Sequence, residues 1–370
     1  MKTVTFHIGN PKTGTSSIQR ALSDNKKKLE STGLLYPLEH PRIYPQKKWS
    51  RFRNHRWLVL LVEPERSKWP RSMKARIPEA NAPDALKTAK ESFAGLLNTI
   101  QESQAERIVI SSETMGGWSE QKINKLKELF APLDAKFEVL CYYRNPAKSF
   151  LAKIQQQLKA SGSSQSFVKP VRPISKMYEN YSAVFGDPVS IRLFDRALLK
   201  NGDVVADFLS AVGVDDQTIG SLPNADSNIS GPGELTAAQY WIRSRAFQDL
   251  EGDFSGANKR LNKALLRVSA DIDLDRAKLA PGVTETAYYH NRDELRWLKE
   301  HLGLEFDEIN YDSLDNPPPV DLEKADLSDL VQFDQEKVDL IIARAMRDLC
   351  EAPDLRSPLD TLRKFVKAKF

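Results

Sequence analysis

The sequence predicts an α/β protein: a P-loop-like parallel sheet flanked by helices, with a mainly helical C-terminal extension. Three observations carry this. Thr3, Val4, Thr5, Phe6 and Ile8 read as a short buried strand that runs into a turn containing Gly9 and Gly14, after which Ile18, Ala21 and Leu22 take up helical spacing. Two further apolar runs, residues 108–110 and 137–143, each follow a helical segment, the alternation that builds parallel sheets. Beyond about residue 230 the apolar spacing is helical in four segments, 235–247, 258–270, 293–301 and 336–351, with no repeat or heptad run. The expected division is an α/β core over 1–230 and a helical region over 231–370.

Taken in order, the first helix should run to about Thr32, with Gly33 as its stop and Lys26, Lys27 and Lys28 suited to a helix C-terminus. Leu34, Leu35 and Tyr36 give a short strand ended by Pro37. Prolines 41, 45, 64, 70, 78 and 83 break up residues 38–83, leaving 55–62 apolar enough for a short helix. Residues 85–101 are amphipathic, with Leu86, Ala89, Phe93, Leu96, Leu97 and Ile100 on one face. Strand 108–110 leads into Ser111-Ser112-Glu113. A carboxylate at the C-terminal end of a parallel strand lies where open α/β sheets bind ligands. After a helix over 119–131, strand 137–143 ends at Arg144-Asn145-Pro146. Pro146 fits the first turn of a helix reaching about Lys159. A Ser-, Gly-, Pro- and Lys-rich loop over 160–175 follows, then a helix (177–185), a strand (189–194) and a helix (203–212) stopped at Gly213.

Composition narrows the class. With 370 residues and 41% hydrophobic content, a sizeable core is affordable. No run of eighteen apolar residues is present, so no membrane span is expected. The chain enters its first strand without a basic-then-apolar leader, and two cysteines, Cys141 and Cys350, make no disulfide framework. These features point to a cytoplasmic protein. The net charge of +4 is unevenly spread: residues 42–76 carry +9 and the remainder −5. This basic belt fits an anionic ligand, or a solvated insertion. It lacks a nucleic-acid-binding module, and no nucleic-acid partner is expected.

The loop after the first strand holds the most specific chemistry. Gly9 and Gly14 have the spacing of a nucleotide-triphosphate P-loop, and Ser16 would supply its hydroxyl. The P-loop lysine position is Thr15, however, and the loop's single lysine is Lys12. Thr13, Thr15, Ser16 and Ser17 are neutral donors at a helix N-terminus, with no evident magnesium ligands. Such a nest suits a phosphate or sulfate held without a metal. The alternative is an ordinary strand-to-helix turn using Gly14 for a positive φ.

Pro11-Lys12-Thr13-Gly14-Thr15-Ser16 is similar to the 5′-phosphosulfate loop of sulfotransferases that use 3′-phosphoadenosine-5′-phosphosulfate (PAPS). The longer phrase from His7 to Thr15, and the Gly33-Leu34-Leu35-Tyr36-Pro37 run, resemble the carbohydrate-type and bacterial members. The resemblance implies that Lys12 is catalytic and that Lys12, Thr13, Gly14, Thr15, Ser16 and Ser17 hold the phosphosulfate. It implies Arg144 for the 3′-phosphate, with a serine eight residues on. That position is Ala152, and Ser149, three residues earlier on nearly the same helix face, is the available substitute. His55 or Glu113 would take the acceptor proton; a surface histidine and a capping carboxylate are the plainer readings. Phe194 matches a residue beside the adenine, or is core. Gln155, Gln156, Gln157, Lys159 and Gly162 resemble a cleft-lining segment, and Asn224, Asn228, Ile229, Ser230 and Pro232 a short polar motif closing the core.

The resulting expectation is a sulfotransferase that moves a sulfuryl group from PAPS to an acceptor hydroxyl, on a carbohydrate and fitting an anionic glycan, without a metal. Two other classes stay open: a nucleotide-dependent kinase, against which Thr15 argues, and a non-catalytic protein binding a nucleotide or anionic glycan, which Ala152 favours.

Overall fold

A computed structural model of the chain describes residues 1–39, 43, 53–160, 173–186, 189–223, 231–246 and 256–351. Residues 161–172 of the expected loop, most of the polar motif near 224–230, four basic residues of the belt (42, 47, 48, 51) and the basic residues 363, 364, 367 and 369 near the C-terminus lie outside them.

The described residues fold into two compact units. The first takes the described residues within 1–145, 172–228 and 297–306; the second takes those within 146–171, 229–296 and 307–370. The division is therefore not a single cut at residue 230, because the chain enters the second unit directly after Asn145 and returns.

The first unit is built on a five-stranded sheet: β1 (Thr3–Ile8), β2 (Leu34–Leu35), β3 (Arg107–Ser112), β4 (Lys136–Tyr143) and β5 (Val189–Leu193). The strand order is β2-β3-β1-β4-β5 and every pairing is parallel. β1 is central, with Ile8 opposite Ser112 of β3 and His7 opposite Leu140 of β4. After β1 the chain moves out to β2, returns to β3, then crosses to β4. The ends of β1, β3 and β4 thus frame the switch point where open sheets take ligands.

Alternation along β1 divides the core. Phe6 faces an aromatic cluster, with ring centroids 5.3 Å from Phe130, 5.8 Å from Phe137 and 5.6 Å from Phe185. These come from α6 (Glu120–Phe130), the start of β4 and α8 (Ile174–Phe185), and α5 (Ala82–Glu102) joins through Phe93. His7 points to the opposite face, 4.8 Å from Phe208 of α9 (Val204–Ala211). There Ile18 and Leu22 of α1 (Thr15–Asp24) and Leu29 of α2 (Lys26–Ser31) pack with Val109, Leu140 and Leu209. The single helix expected to Thr32 is thus two. They meet at Asn25, whose backbone is non-helical and whose side-chain amide donates to the Ala21 carbonyl at 2.9 Å. Residues 56–62 form a 3₁₀ turn followed by α3 (Val59–Val62); α4 (Arg71–Lys74) and, after α9, α10 (Asp216–Gly220) complete the unit's short helices.

A buried carboxylate ties the far side of this sheet together. Asp207 of α9 accepts from Tyr142 Oη at 2.8 Å, from Arg192 Nε and Nη2 at 2.6 and 2.7 Å, and from the Lys200 amide at 3.1 Å. Burial alone would raise its pKa, but these donors outweigh that and hold it below the usual aspartate range.

The second unit is mainly helical: α7 (Pro146–Ala160), α11 (Gly233–Ala246), α12 (Gly256–Val268), α13 (Val283–Tyr289), α15 (Leu327–Leu330) and α16 (Gln335–Glu351), with α14 (Arg292–Leu302) leaving it after Arg296. Its core joins Ile154 and Leu158 to Ile242, Leu265 and Ile341. The sequence reading missed its two-stranded antiparallel ribbon, β6 (Lys278–Leu279) with β7 (Val331–Gln332), because two-residue strands carry no periodicity.

Candidate functional site

The loop after β1 continues the ladder by one step, with the Gly9 amide donating to the Ser112 carbonyl at 3.3 Å. It then turns through two left-handed residues, Lys12 (φ 68°) and Gly14 (φ 75°). Thr13 Oγ1 closes the turn by donating to the Asn10 carbonyl at 2.7 Å. Gly14 is the residue before α1 and provides no side-chain cap. The Ser17 amide donates to the Gly14 carbonyl at 2.9 Å, which leaves the Thr15 and Ser16 amides, ahead of the first helical bond, at the positive end of a ten-residue helix.

Both loop glycines are required by space. A Cβ on Gly9 would lie 2.8 Å from Glu113 Cγ and 2.9 Å from Thr15 Oγ1. A Cβ on Gly14 would lie 2.7 Å from Val204 Cγ1 and 3.1 Å from Phe194 Cε2, on a backbone L-residues rarely adopt. Thr15 Oγ1 is buried and makes no hydrogen bond among the described residues. A buried hydroxyl of this kind beside unpaired helix amides fits an anion with acceptor oxygens.

Two further strand ends meet this loop. Arg144, directly after β4, donates from Nη1 to the Lys12 carbonyl at 3.0 Å. Its guanidinium sits 5.5 Å from the centroid of Phe194, the residue after β5. Burial lowers the pKa of Arg144 below the usual arginine value. On the other side of β1, exposed Glu113 follows β3, its side-chain stem against Gly9. The turn after Glu113 is held from α8, where Tyr181 Oη donates to the Met115 carbonyl at 3.0 Å and Asn180 Nδ2 to the Trp118 carbonyl at 3.2 Å. Lys12, Glu113 and Arg144 therefore share one end of the sheet in the first unit. Ser16 is exposed and Ser17 half-buried in the first turn of α1. Ser149 and Ala152 are buried on α7, which belongs to the second unit. In that unit Gln155 Nε2 donates to the Gly231 carbonyl at 2.8 Å.

His55 is arranged differently from an acceptor-side base. It is fully buried. Its Nδ1 accepts the Ser111 amide at 3.0 Å, which puts the ring proton on Nε2, and that proton goes to the Pro37 carbonyl at 2.6 Å. Both ring nitrogens are committed to main-chain groups, so the imidazole has no lone pair to offer an incoming hydroxyl. The His55 amide also donates to the Ser111 carbonyl at 2.9 Å.

Sequence reasoning missed Gln19. It sits beside Ile18 and Leu22 on α1, buried, and donates from Nε2 to Ser111 Oγ at 3.0 Å. A polar residue on the apolar stripe of that helix was the available signal. The same hydroxyl lies 2.9 Å from Nδ1 of His7. Burial lowers the pKa of His7 to about 3, so its ring is neutral. Burial likewise pushes the Cys141 thiol up to about 12, leaving an inert core residue.

Part of the basic belt is neutralised locally. Arg53 pairs with Asp24 at 3.1 Å and Lys68 with Glu65 at 2.6 Å, while Arg66 donates to the Lys74 and Ile77 carbonyls. Among the described residues no group of His, Cys, Asp or Glu could hold a metal ion, and no helix is long and apolar enough to cross a membrane.

No model of a known protein family matches the chain, and no curated protein matches it. Among solved structures it is similar to a sulfotransferase from Alicyclobacillus acidocaldarius. The identity is 17% and the TM-score 0.38, over 70% of this chain and 99% of the other. A likeness of that size leaves function to be argued from this chain's own residues.

Proposed function

We propose that the chain is a PAPS-dependent sulfotransferase acting on a hydroxyl acceptor, with a carbohydrate as the acceptor class. The observation that carries the reading is the bond from Arg144 to the Lys12 carbonyl. It joins the two stretches that resemble the family, 132 residues apart in sequence, at one end of the sheet. An anion nest alone suits many nucleotides. A guanidinium fixed against that nest adds a second phosphate-binding group, as a 3′-phosphorylated nucleotide requires.

In this reading the α1 amides, with the Thr13 amide and the hydroxyls of Thr15, Ser16 and Ser17, hold the 5′-phosphosulfate, and Arg144 holds the 3′-phosphate. Phe194 offers a ring face for the base. PAPS supplies the activated sulfuryl group. Lys12 brings a cation to the loop, where it offsets charge on the departing phosphate oxygen, an electrostatic task of the oxyanion-hole kind. Glu113 is the group that accepts the hydroxyl proton. It is preferred to His55 because it is exposed at the strand end, whereas both His55 nitrogens are bonded to the main chain.

Transfer of label from radiolabelled PAPS to a panel of glycans tests the reading. Wild-type protein should label at least one glycan, and Lys12→Ala and Glu113→Gln should abolish labelling while remaining folded. Magnesium-dependent phosphoryl transfer from ATP would replace the reading with a kinase. Tight nucleotide binding without transfer to any acceptor would replace it with a binding protein.

A further inference from the structure

We propose that Gln19, Ser111 and His55 are positioning residues, which together fix the end of β3, and with it the Glu113 carboxylate, against the helix that carries the nucleotide loop. The proposal rests on the sulfotransferase reading for its catalytic consequence and on geometry for the network itself.

The network has a defined direction. The Arg56 amide can only donate, and it donates to Asn54 Oδ1 at 3.2 Å. That orients the Asn54 amide, so Nδ2 donates to Gln19 Oε1 at 3.3 Å. Gln19 must then present its Nε2 donor to Ser111 Oγ, at 3.0 Å. The Ser111 hydroxyl, which accepts from Gln19, also lies 2.9 Å from Nδ1 of His7 and within bonding reach of the Tyr36 hydroxyl. One serine hydroxyl thus ties α1 to β3 and β1 at once, two residues before Glu113.

The main chain of Ser111 is secured as well. β2 pairs with β3 only at Arg107 and Ile108, so among the described residues no strand lies along the outer edge of β3 beyond them. His55 fills that position at Ser111: its amide donates to the Ser111 carbonyl and its Nδ1 receives the Ser111 amide. Its Nε2 bond to Pro37 anchors the ring to the segment after β2. The histidine does with one side chain what a paired strand would do with its backbone. On the far side of Glu113, Tyr181 holds the Met115 carbonyl. The carboxylate is bracketed between two fixed points, and an error of about 1 Å in placing such a group can cost about a hundredfold in rate.

Four variants test this: Ser111→Ala, Gln19→Leu, His55→Asn and His55→Phe. Ser111→Ala and Gln19→Leu should lower kcat about tenfold or more, with product-nucleotide affinity changed less than about threefold. His55→Asn retains an acceptor for the Ser111 amide and should keep most of kcat, whereas His55→Phe should lose it. If His55→Asn is folded, binds the nucleotide and is as inactive as His55→Phe, the histidine is a base and the proposal fails. Wild-type kcat in both Ser111→Ala and Gln19→Leu would overturn it equally. Two readouts do not need turnover. Nitrogen-15 spectra should show His55 as the neutral Nε2–H tautomer at pH 6, and an imidazolium or an Nδ1–H ring contradicts the network. Amide exchange at Ser111 to Glu113 should rise about tenfold or more in Gln19→Leu, and unchanged rates contradict it. If wild-type protein transfers no sulfuryl group, the functional reading fails alone, and these two measurements still decide whether the network fixes the strand end.

Discussion

Arg144 Nη1 and the carbonyl of Lys12 lie 3.0 Å apart, so a residue at the end of β4 is part of the loop that follows β1. The link has two consequences. It holds Lys12 in its left-handed conformation by occupying its carbonyl, and it sets a guanidinium beside the ring of Phe194. Arg144→Ala should therefore weaken nucleotides carrying a 3′-phosphate by about ten- to a hundredfold, and those lacking it much less. Calorimetric titration of 3′-phosphoadenosine 5′-phosphate and adenosine 5′-phosphate against both proteins measures the difference. Equal losses for the two ligands would mean that Arg144 supports the loop without reading the phosphate.

Gly14 is held by both φ and contact. Gly14→Ala adds a methyl group 2.7 Å from Val204 Cγ1 on a backbone of φ 75°. Strain and overpacking together should cost about 2–4 kcal/mol, read as a lower urea midpoint. Tolerance of alanine with an unchanged midpoint would mean that α9 moves freely away from the loop.

His7 makes stability depend on pH. Its folded pKa of about 3 lies below the ordinary imidazole value of 6.5, so the unfolded chain binds the extra proton. Its contribution is complete above pH 6.5 and is lost as pH falls from there toward 3, at no more than about 1.4 kcal/mol per pH unit. Asp207, held below its ordinary range, adds a loss of the same sign at lower pH. Urea unfolding between pH 7.5 and 4.5 should show this slope in the wild type and a shallower one in His7→Phe. A slope unaltered by that substitution would assign the dependence to other groups.

The Asp207 cluster should prove structural. Arg192→Leu removes two of its four donor contacts and leaves a buried carboxylate underpaired, at a cost of about 2–3 kcal/mol, moderated because Arg192 is partly exposed. Nucleotide affinity, measured on the folded variant, should stay within about threefold of wild type, since affinity tracks the contacts a ligand makes. A large loss of affinity would tie this cluster to the site.

The sheet was legible because its signals are local. Phe6 and His7 alternate about a central strand, Gly14 ends the turn, and Pro146 starts a helix, each for reasons written in neighbouring residues. Lys12 and Arg144 were nameable because their stretches resemble known phosphate-binding motifs, and Glu113 because it ends a parallel strand, where open sheets bind ligands. The role of His55 was not legible. A histidine after a basic segment reads the same whether it faces solvent or main chain, and only the short reach of β2 reveals the open edge it fills. Gln19 escaped notice for a related reason: helical spacing marks it as buried without saying what it meets. The division at residue 230 followed the reach of the family resemblance and the helical spacing beyond it, whereas compactness follows contacts, and α7 groups with the later helices.

Direct titration of the wild-type protein with 3′-phosphoadenosine 5′-phosphate, in the presence of EDTA, tests the central claim that this loop and Arg144 together read a 3′-phosphorylated nucleotide. Saturable binding is expected without a divalent cation, at least about tenfold tighter than that of adenosine 5′-phosphate. Equal affinity for the two nucleotides, or binding only of ATP with magnesium, would contradict it.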